Sequence, residues 1–399
     1  MTTADNHSNA LRRLGIMGGG QLGMFLCQSA RELGVESVVH EANPAGSALP
    51  YADETIVADL GDLAAVQRLI EASDVITFEL EAIPDESLEL LRAAESRGEI
   101  QVHPSIDTLA RFKDKGIQKA WLQAEGLPTL PALNLVQGTV PEELLYGRWS
   151  LPVVQKAHRG GYDGKGVQLL RTRDDLDRLW DIPSYLEPAL DPCRELSVVV
   201  ARDFQGELAA FPPVSMTFDP RYNAVFSVSS PARAPDALVQ EADRIAREAI
   251  SRLDTPGVFA VELFVDPEDH VTINEISPRV HNSGHLTIEG FEASQFDQHV
   301  RAIMGMPLAP VVPRAPASEM FNLLYDEGFR SACPPAPGRV ENGAAVVHWY
   351  GKSTGQAGRK MGHITATGDQ SDEVLATAER AYLDLFEPGR QPAVLPHKD

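Results

Sequence analysis

A short apolar run, Arg13 to Met17, passes through three consecutive glycines into a stretch of helical periodicity, Gln21 to Leu33. That stretch stops at Gly34, and a second apolar run follows, Val35 to His40. Strand, glycine turn, helix and strand in such close succession are satisfied by parallel strands with the helix packed across them. Thr55 to Ala58 and Val75 to Phe78 repeat the short β-branched run, with helical stretches after Asp62 and Asp85. The order β-α-β-α predicts a parallel sheet covered by helices on both faces over the first hundred residues.

The pattern changes after His103-Pro104-Ser105. Helical segments near Ile106 to Phe112 and Gly116 to Glu125 lead to prolines 128 and 131. Residues 153 to about 231 then read mostly as antiparallel strands, with a short helix at Asp174 to Trp180. A helix from Pro235 to Leu253 precedes a hairpin, Val258 to Val265 and His270 to Ile276, turning at Asp266 to Asp269. The helix Ser294 to Met304 closes this region. Prolines 307, 310, 313 and 316 form a stiff linker, and a mostly β-like segment ending in one helix follows.

Charge narrows the partners. The chain of 399 residues has 35 Lys and Arg against 57 Asp and Glu, a net charge of −22. Such a surface repels phosphate backbones and anionic headgroups, which disfavours general nucleic-acid or membrane-surface binding. The length suggests two or three domains. Cys27, Cys193 and Cys333 are far apart and odd in number, the first ten residues lack the order of a signal peptide, and no apolar stretch would span a bilayer. A soluble, cytoplasmic protein with free thiols is expected. Only eight basic residues are lysines: 113, 115, 119, 156, 165, 352, 360 and 398.

Four motifs carry chemistry. Gly18-Gly19-Gly20-Gln21-Leu22-Gly23 satisfies GxGxxG between a strand and a helix, and Glu41 lies about twenty residues on, as in dinucleotide-binding turns. The same turn would also suit helix–strand packing or another anion. The second glycine loop, Lys156 to Val167, lies between two strands and lacks a GK[ST] ending, so it is neither a Walker loop nor a second dinucleotide turn. Four glycines flanked by Lys156 and Lys165 suit a flap whose amides fold over a triphosphate, where a plain hairpin would hardly recruit two of eight lysines. Third, a four-residue turn at Asp266 to Asp269 would set Glu275 opposite Ala260, making Glu262 and Glu275 diagonal neighbours across the hairpin. Two carboxylates among Val261, Leu263, Ile273 and Ile276, with Asn274 beside them, suit Mg²⁺ bridging phosphates, although a solvated hairpin face has the same alternation. Fourth, Pro278 to His285 is a loop dense in hydrogen-bonding side chains. Its two histidines find no further His or Cys cluster, so zinc is not expected. Near the end, Lys352, Arg359 and Lys360 concentrate positive charge in an acidic chain, as an anionic substrate or a solvated hairpin would allow.

In chain order, GGGQLG at Gly18, HPS at His103, GGYDGKG at Gly160, NEISPRVHNSGH at Asn274, SQFDQHVRA at Ser294, and HWYGK with GRKMGH near the end resemble one family. It is the 5-(carboxyamino)imidazole ribonucleotide synthases, the ATP-dependent subunit of phosphoribosylaminoimidazole carboxylase, within the ATP-grasp superfamily. The resemblance implies an α/β and α+β chain in three parts: a Rossmann-like domain over 1–105, an ATP-grasp region over 106–310 with a glycine-loop subdomain about 153–215, and a small β-rich carboxy-terminal domain over 311–399. It implies ATP-dependent carboxylation of 5-aminoimidazole ribonucleotide with bicarbonate, through carboxyphosphate, in purine biosynthesis. By motif position, ATP would be held by Arg111, Lys156, Gly161, Tyr162, Asp163, Gly164, Lys165, Gly166, Val167, Glu187, Pro188, Ala189, Leu190, Glu195, Asn274 and Glu275. Mg²⁺ would sit on Glu262 and Glu275. Gly20, Gln21, Leu22, Glu79, Tyr162, Lys165, His281, Asn282, Ser283, Lys352, Arg359 and Lys360 would meet the ribonucleotide, with Lys165, Asn274, Arg279 and His281 as catalytic groups. A homodimer and a transient hand-off to a downstream mutase are further implications. One departure stands out: Phe218, in Ser215-Met216-Thr217-Phe218, occupies the place of a histidine usually set against ATP. An oxidoreductase reading Gly18 to Gly23, another ATP-grasp ligase and a non-catalytic nucleotide sensor are the competing readings.

Overall fold

The computed structural model describes residues 12–135, 139–145, 147, 149–160, 166–191, 193–325, 337–342, 344–352 and 356–385. Met1–His103 and Pro104–Asp399 form two compact units.

In the first unit, strands β1 (Arg13–Met17), β2 (Glu36–Glu41), β3 (Glu54–Val57), β4 (Val75–Phe78) and β5 (Gln101–Val102) make one parallel sheet in the order β3-β2-β1-β4-β5. Helices α1 (Gln21–Glu32), α2 (Leu63–Ala72) and α3 (Asp85–Ser96) connect them. All four residues of β4 are buried, as a central strand covered on both faces requires, whereas only Ile56 of the edge strand β3 is. The Asp62 side chain accepts the amides of Ala64 and Ala65 and so fixes the start of α2. The four strands and three helices expected in this unit are present; β5 is a further strand that the sequence expectation does not include.

The second unit opens with α4 (Ile106–Lys113) and α5 (Lys115–Ala124), each N-capped by the side chain before it, Ser105 and Asp114. After them come β6 (Leu133–Asn134), α6 (Glu142–Leu145), β7 (Val153–Ala157), β8 (Val167–Leu170) and β9 (Ser184–Pro188). These four strands form a small antiparallel sheet, β6-β9-β7-β8, over a core that includes Val153, Leu170, Leu176 and Leu186. The helix expected at Asp174 to Trp180 is a 3₁₀ turn at Arg173–Arg178, wound tightly because Asp175 reaches back to the amides of Arg171 and Thr172.

The larger sheet contains β10 (Arg194–Arg202), β11 (Leu208–Ala210), β12 (Val214–Asp219), β13 (Ala224–Ser230), β14 (Gly257–Val265) and β15 (Val271–Ser277). It continues through β16 (Ala317–Leu324), β17 (Pro337–Asn342), β18 (Ala345–Tyr350) and β19 (Lys360–Gly368). Its order is β15-β14-β10-β12-β13-β16-β19-β18-β17, with β11 paired to β10, so the strands beyond the proline linker add to the same sheet. Helix α7 (Asp236–Ser251) lays Ala242, Ile245, Ala246, Ala249 and Ile250 on Val198, Val200, Val261 and Leu263. That core occupies one face of β14, and strand alternation turns Glu262 to the other. The short α8 (Thr287–Gly290), α9 (Gln295–Ile303) and α10 (Ser371–Leu383) complete the unit.

Candidate active site

The carboxylate hairpin differs in register from its sequence expectation. Val265 pairs with Val271, a β-bulge falls between Glu262 and Leu263, and Glu262 lies directly opposite Glu275, where a diagonal relation was expected. The turn is one residue longer than the four-residue form, because the Asp266 carboxylate gathers the amides of Glu268 and His270 while Asp269 adopts φ 67°. The bulge brings both acidic side chains to one point of the hairpin.

Two carboxylates facing each other in a partly buried place require positive charge. Lys115, the first residue of α5, forms an ion pair with Glu275. His281 Nε2 lies 3.1 Å from Glu262 Oε1. Burial works to raise Glu262, but the hydrogen bond and charge of His281, with Lys115 and Lys360, hold it below its ordinary value. Glu195, on the neighbouring strand β10, is pushed up to about 8 by burial and then by the charge of Glu262.

Beside the hairpin, the two sheets of this unit meet through lysines. Lys156 Nζ on β7 donates to Asn274 Oδ1 at 2.7 Å and pairs with Glu187 on β9 at 2.6 Å. Lys119 of α5 pairs with the same Glu187 and donates to Thr129 Oγ1. Lys119, Glu187 and Lys156 are 4%, 2% and 7% exposed, so this triad is internal and its charges are compensated at close range. Burial would raise Glu187, yet the two ammonium groups keep it below its ordinary value and ionised. At the end of β9, the Ala189 amide donates to the Pro152 carbonyl, which fixes the Glu187–Leu190 segment against the start of β7.

The second glycine loop is anchored at both ends. The Ala157 amide donates to the Gly166 carbonyl, the Lys115 amide to the His158 carbonyl, and Arg159 Nε to Asp114. Gly116 leaves room for the His158 ring, which a Cβ would meet at 2.3 Å. Gly161, Tyr162, Asp163, Gly164 and Lys165 lie outside the described residues; Gly166 and Val167 are at the start of β8.

The loop after β15 is held by a short relay. His281 Nδ1 and Ser283 Oγ are 2.8 Å apart, as are Ser283 Oγ and Ser197 Oγ of β10, while the amide side chains of Asn282 and Asn322 pair at 2.8 and 2.7 Å. Arg279 Nη1 donates to the Val280 carbonyl. Lys352 Nζ donates to the Lys360 carbonyl, joining two of the three basic residues near the end of the chain, and Arg359 is exposed beside them.

Not every expected residue joins this group. Arg111 lies with its guanidinium 5.5 Å over the Trp121 ring, and Lys115, four residues on, is the cation that reaches the carboxylate hairpin. Lys115 and Lys119 are the functional candidates that motif reading passed over. Their scarcity and their i, i+4 spacing on one helix were the available signal. Phe218 is half-buried at the bulged part of β12, opposite Val225. The histidine pair of the Pro278 to His285 loop does find further histidines: His285 stacks on His363, and His363 on His348.

Gly20, Gln21, Leu22 and Glu79 belong to the first unit. There the glycine turn is already satisfied by acids. Gly20 and Gly23 amides donate to the two Glu79 carboxylate oxygens at 2.6 and 2.7 Å, and the Gly19 amide to Glu41 at 2.5 Å. The helix terminus that would attract a pyrophosphate holds the chain's own carboxylates, which removes the basis of the dinucleotide reading.

Three family models match the chain in order. Residues 11–112 match the ribonucleotide synthetase preATP-grasp domain, 121–296 the ATP-grasp domain, and 318–377 the phosphoribosylaminoimidazole carboxylase C-terminal domain. N5-carboxyaminoimidazole ribonucleotide synthase of Synechococcus elongatus is 37% identical over 89% of this chain and 89% of its own. The crystal structure of the synthetase from Thermotoga maritima matches with a TM-score of 0.81 at 33% identity, covering 94% of this chain and 99% of that one. The Aspergillus clavatus enzyme, solved with ADP and 5-aminoimidazole ribonucleotide, matches with a TM-score of 0.81 at 30% identity over 94% and 98%. An ATP-grasp domain, a carboxylase C-terminal domain and likeness along nearly its whole length place this chain in the N5-carboxyaminoimidazole ribonucleotide synthase family.

Proposed function

We propose that the chain joins bicarbonate to the amine of 5-aminoimidazole ribonucleotide, converting ATP to ADP and phosphate and giving N5-carboxyaminoimidazole ribonucleotide. The observation that carries this reading is the register of Glu262 against Glu275, with Lys156 and Asn274 beside them and His281 on the next loop.

The chemistry is a phosphoryl transfer followed by an acyl-type transfer. A bicarbonate oxygen attacks the γ-phosphorus, ADP leaves with the electron pair of the bridging oxygen, and carboxyphosphate forms. The amine then takes the carboxyl carbon, phosphate departs, and the amine proton is lost to give the carbamate. The protein's task in both steps is positioning and charge compensation. Lys156, set by Glu187 and Asn274, faces the phosphates as a point charge, and Lys119 keeps Glu187 from claiming that charge for itself. Glu187 to Leu190 and Glu195 are assigned to adenosine, with the glycine loop over the triphosphate. Two carboxylates and an amide oxygen form a hard-oxygen donor set that fits Mg²⁺. When bound, the ion would add positive charge at the phosphates. Lys165, Asn274, Arg279 and His281 are assigned to the reacting groups; Lys352, Arg359 and Lys360 to the ribonucleotide phosphate. The three-part division at 105 and 310, a cytoplasmic homodimer, and hand-off of the product to a downstream mutase complete the reading, supported by family membership.

The test is phosphate release by purified protein with Mg-ATP and bicarbonate, with and without the ribonucleotide. Stimulation by the ribonucleotide and one carboxylated product per phosphate are expected; no stimulation would sink the assignment. Glu275→Gln should lower turnover by at least about a hundredfold while circular dichroism and melting stay native-like. Unchanged activity would remove the hairpin from the mechanism.

A further inference from the structure

Behind the Pro278 to His285 loop, three elements contribute imidazoles to one buried stack. His285 ends the loop, His363 comes from β19 and His348 from β18. Ring centroids are 4.8 Å apart between His285 and His363 and 4.7 Å between His363 and His348, with planes inclined by 21° and 22°. Phe296 of α9 continues the stack beyond His285. His285 and His363 are fully buried, and burial first, then the surrounding cations and imidazoles, hold both well below the ordinary histidine range. They are neutral rings at physiological pH.

Two rings of the stack have polar partners. His348 Nε2 lies 2.8 Å from Glu289 Oε1 of α8, and His363 Nδ1 lies 2.8 Å from the Tyr350 hydroxyl. The Tyr350 ring in turn lies beneath Lys352, whose ammonium is 5.2 Å from the ring centroid and also donates to the Lys360 carbonyl at 2.9 Å. A lysine side chain has four rotatable bonds, and Lys352 lies two residues past the end of β18. What fixes this ammonium is a ring below it and a carbonyl beside it, and what fixes the ring is His363.

We propose that His363 is a positioning residue: with Tyr350 it holds Lys352 in place for the phosphate of the ribonucleotide, and the imidazole stack ties that cation to the Pro278 to His285 loop. The identity of the ligand rests on the proposed function; the positioning rests on the contacts just described. A pre-placed ammonium loses less freedom when the phosphate arrives, so the effect belongs to ribonucleotide affinity and not to the nucleotide. The same region offers another reading, since ligand atoms of Glu289, His348 and His363 lie within 4.8 Å of one another, as in a metal cluster. Nearly parallel rings set their nitrogens side by side and do not converge on a common point, and Glu289 already meets His348 at hydrogen-bond distance.

The test uses His363→Phe, which keeps a stacking ring without Nδ1, and Tyr350→Phe, which removes the same hydrogen bond from the other side. Each should raise KM for the ribonucleotide about tenfold, with kcat within about twofold and KM for ATP unchanged. The double variant should be no worse than either single one, because both remove one interaction. His363→Asn, whose amide keeps a polar atom near the Nδ1 position, should recover most of the loss. A fall in melting temperature without a change in ribonucleotide KM, or equal rises for both substrates, would overturn the proposal. So would stoichiometric zinc in the purified protein that is lost in His348→Phe. Binding of ribose 5-phosphate, followed by thermal shift in wild type and His363→Phe, gives the same comparison without turnover. A chain inactive as a ligase would therefore still decide the positioning role.

Discussion

At the scale of single residues, buried acids in this chain divide by what stands next to them. Glu187 is ionised between two lysines, whereas Glu319 on β16 is pushed up to about 7 by burial, despite a hydrogen bond from Ser229 and an ion pair to Arg233 at 3.2 Å. Arg233 is one-third exposed on its side chain, so water weakens its opposition to that burial. The sign for stability follows. Glu319 keeps its proton in the folded chain up to about pH 7 but loses it near 4.5 when unfolded, so the folded state binds more protons in that window. Stability should fall as pH rises from about 4.5 to 7 and level off above, with up to about 3 kcal/mol at stake. Glu319→Gln should flatten that slope in denaturant titrations at pH 5 and pH 8; an unchanged slope would remove Glu319 as its source. Sequence reading found Glu262, Glu275 and Lys156 from strand position and a glycine loop, and Glu187 through the family resemblance. It named Arg111 and gave Lys115 and Lys119 no role. Which of several cations on neighbouring helical turns reaches a carboxylate depends on the rotation of α5 about its axis, which Asp114 sets through its cap.

Among elements, period gives type and turn chemistry gives register. Strands β1 to β4 and the helices of the first unit, α7 and the β14–β15 hairpin were all legible from apolar spacing. The hairpin pairing was not, because a bulge between Glu262 and Leu263 and a longer turn shift it, and neither changes the alternation that sequence displays. The face of β14 opposite Glu262 belongs to α7. Ile245 is fully buried there, among residues that include Val261 and Leu263. Ile245→Ala should cost about 2–4 kcal/mol by loss of burial and by the cavity left behind. Its signature is a lower urea midpoint with KM for ATP unchanged; a raised KM would mean that the core face and the site face of the strand are not independent.

The whole molecule carries −22 charges, while ATP, bicarbonate and the ribonucleotide are all anions. Cations are gathered locally against this: Lys115, Lys119 and Lys156 around Glu275 and Glu187, and Lys352 beside Lys360. At longer range the acidic surface dominates until salt screens it. Raising ionic strength from 10 to 100 mM, which shortens the screening length from about 30 to 10 Å, should therefore raise kcat/KM for ATP by about twofold. A monotonic fall would show that the site's own field governs approach. The acidic composition also recasts the glycine turn after β1. Glu41 and Glu79 sit on the very amides that a dinucleotide phosphate would use, and they arrive from residues 22 and 59 positions away. A tethered carboxylate competes at an effective concentration on the order of millimolar or above, so a diffusing phosphate would bind this turn more weakly by the ratio of that concentration to the carboxylate's own dissociation constant. An anion that uses these amides would first have to displace a carboxylate that belongs to the chain.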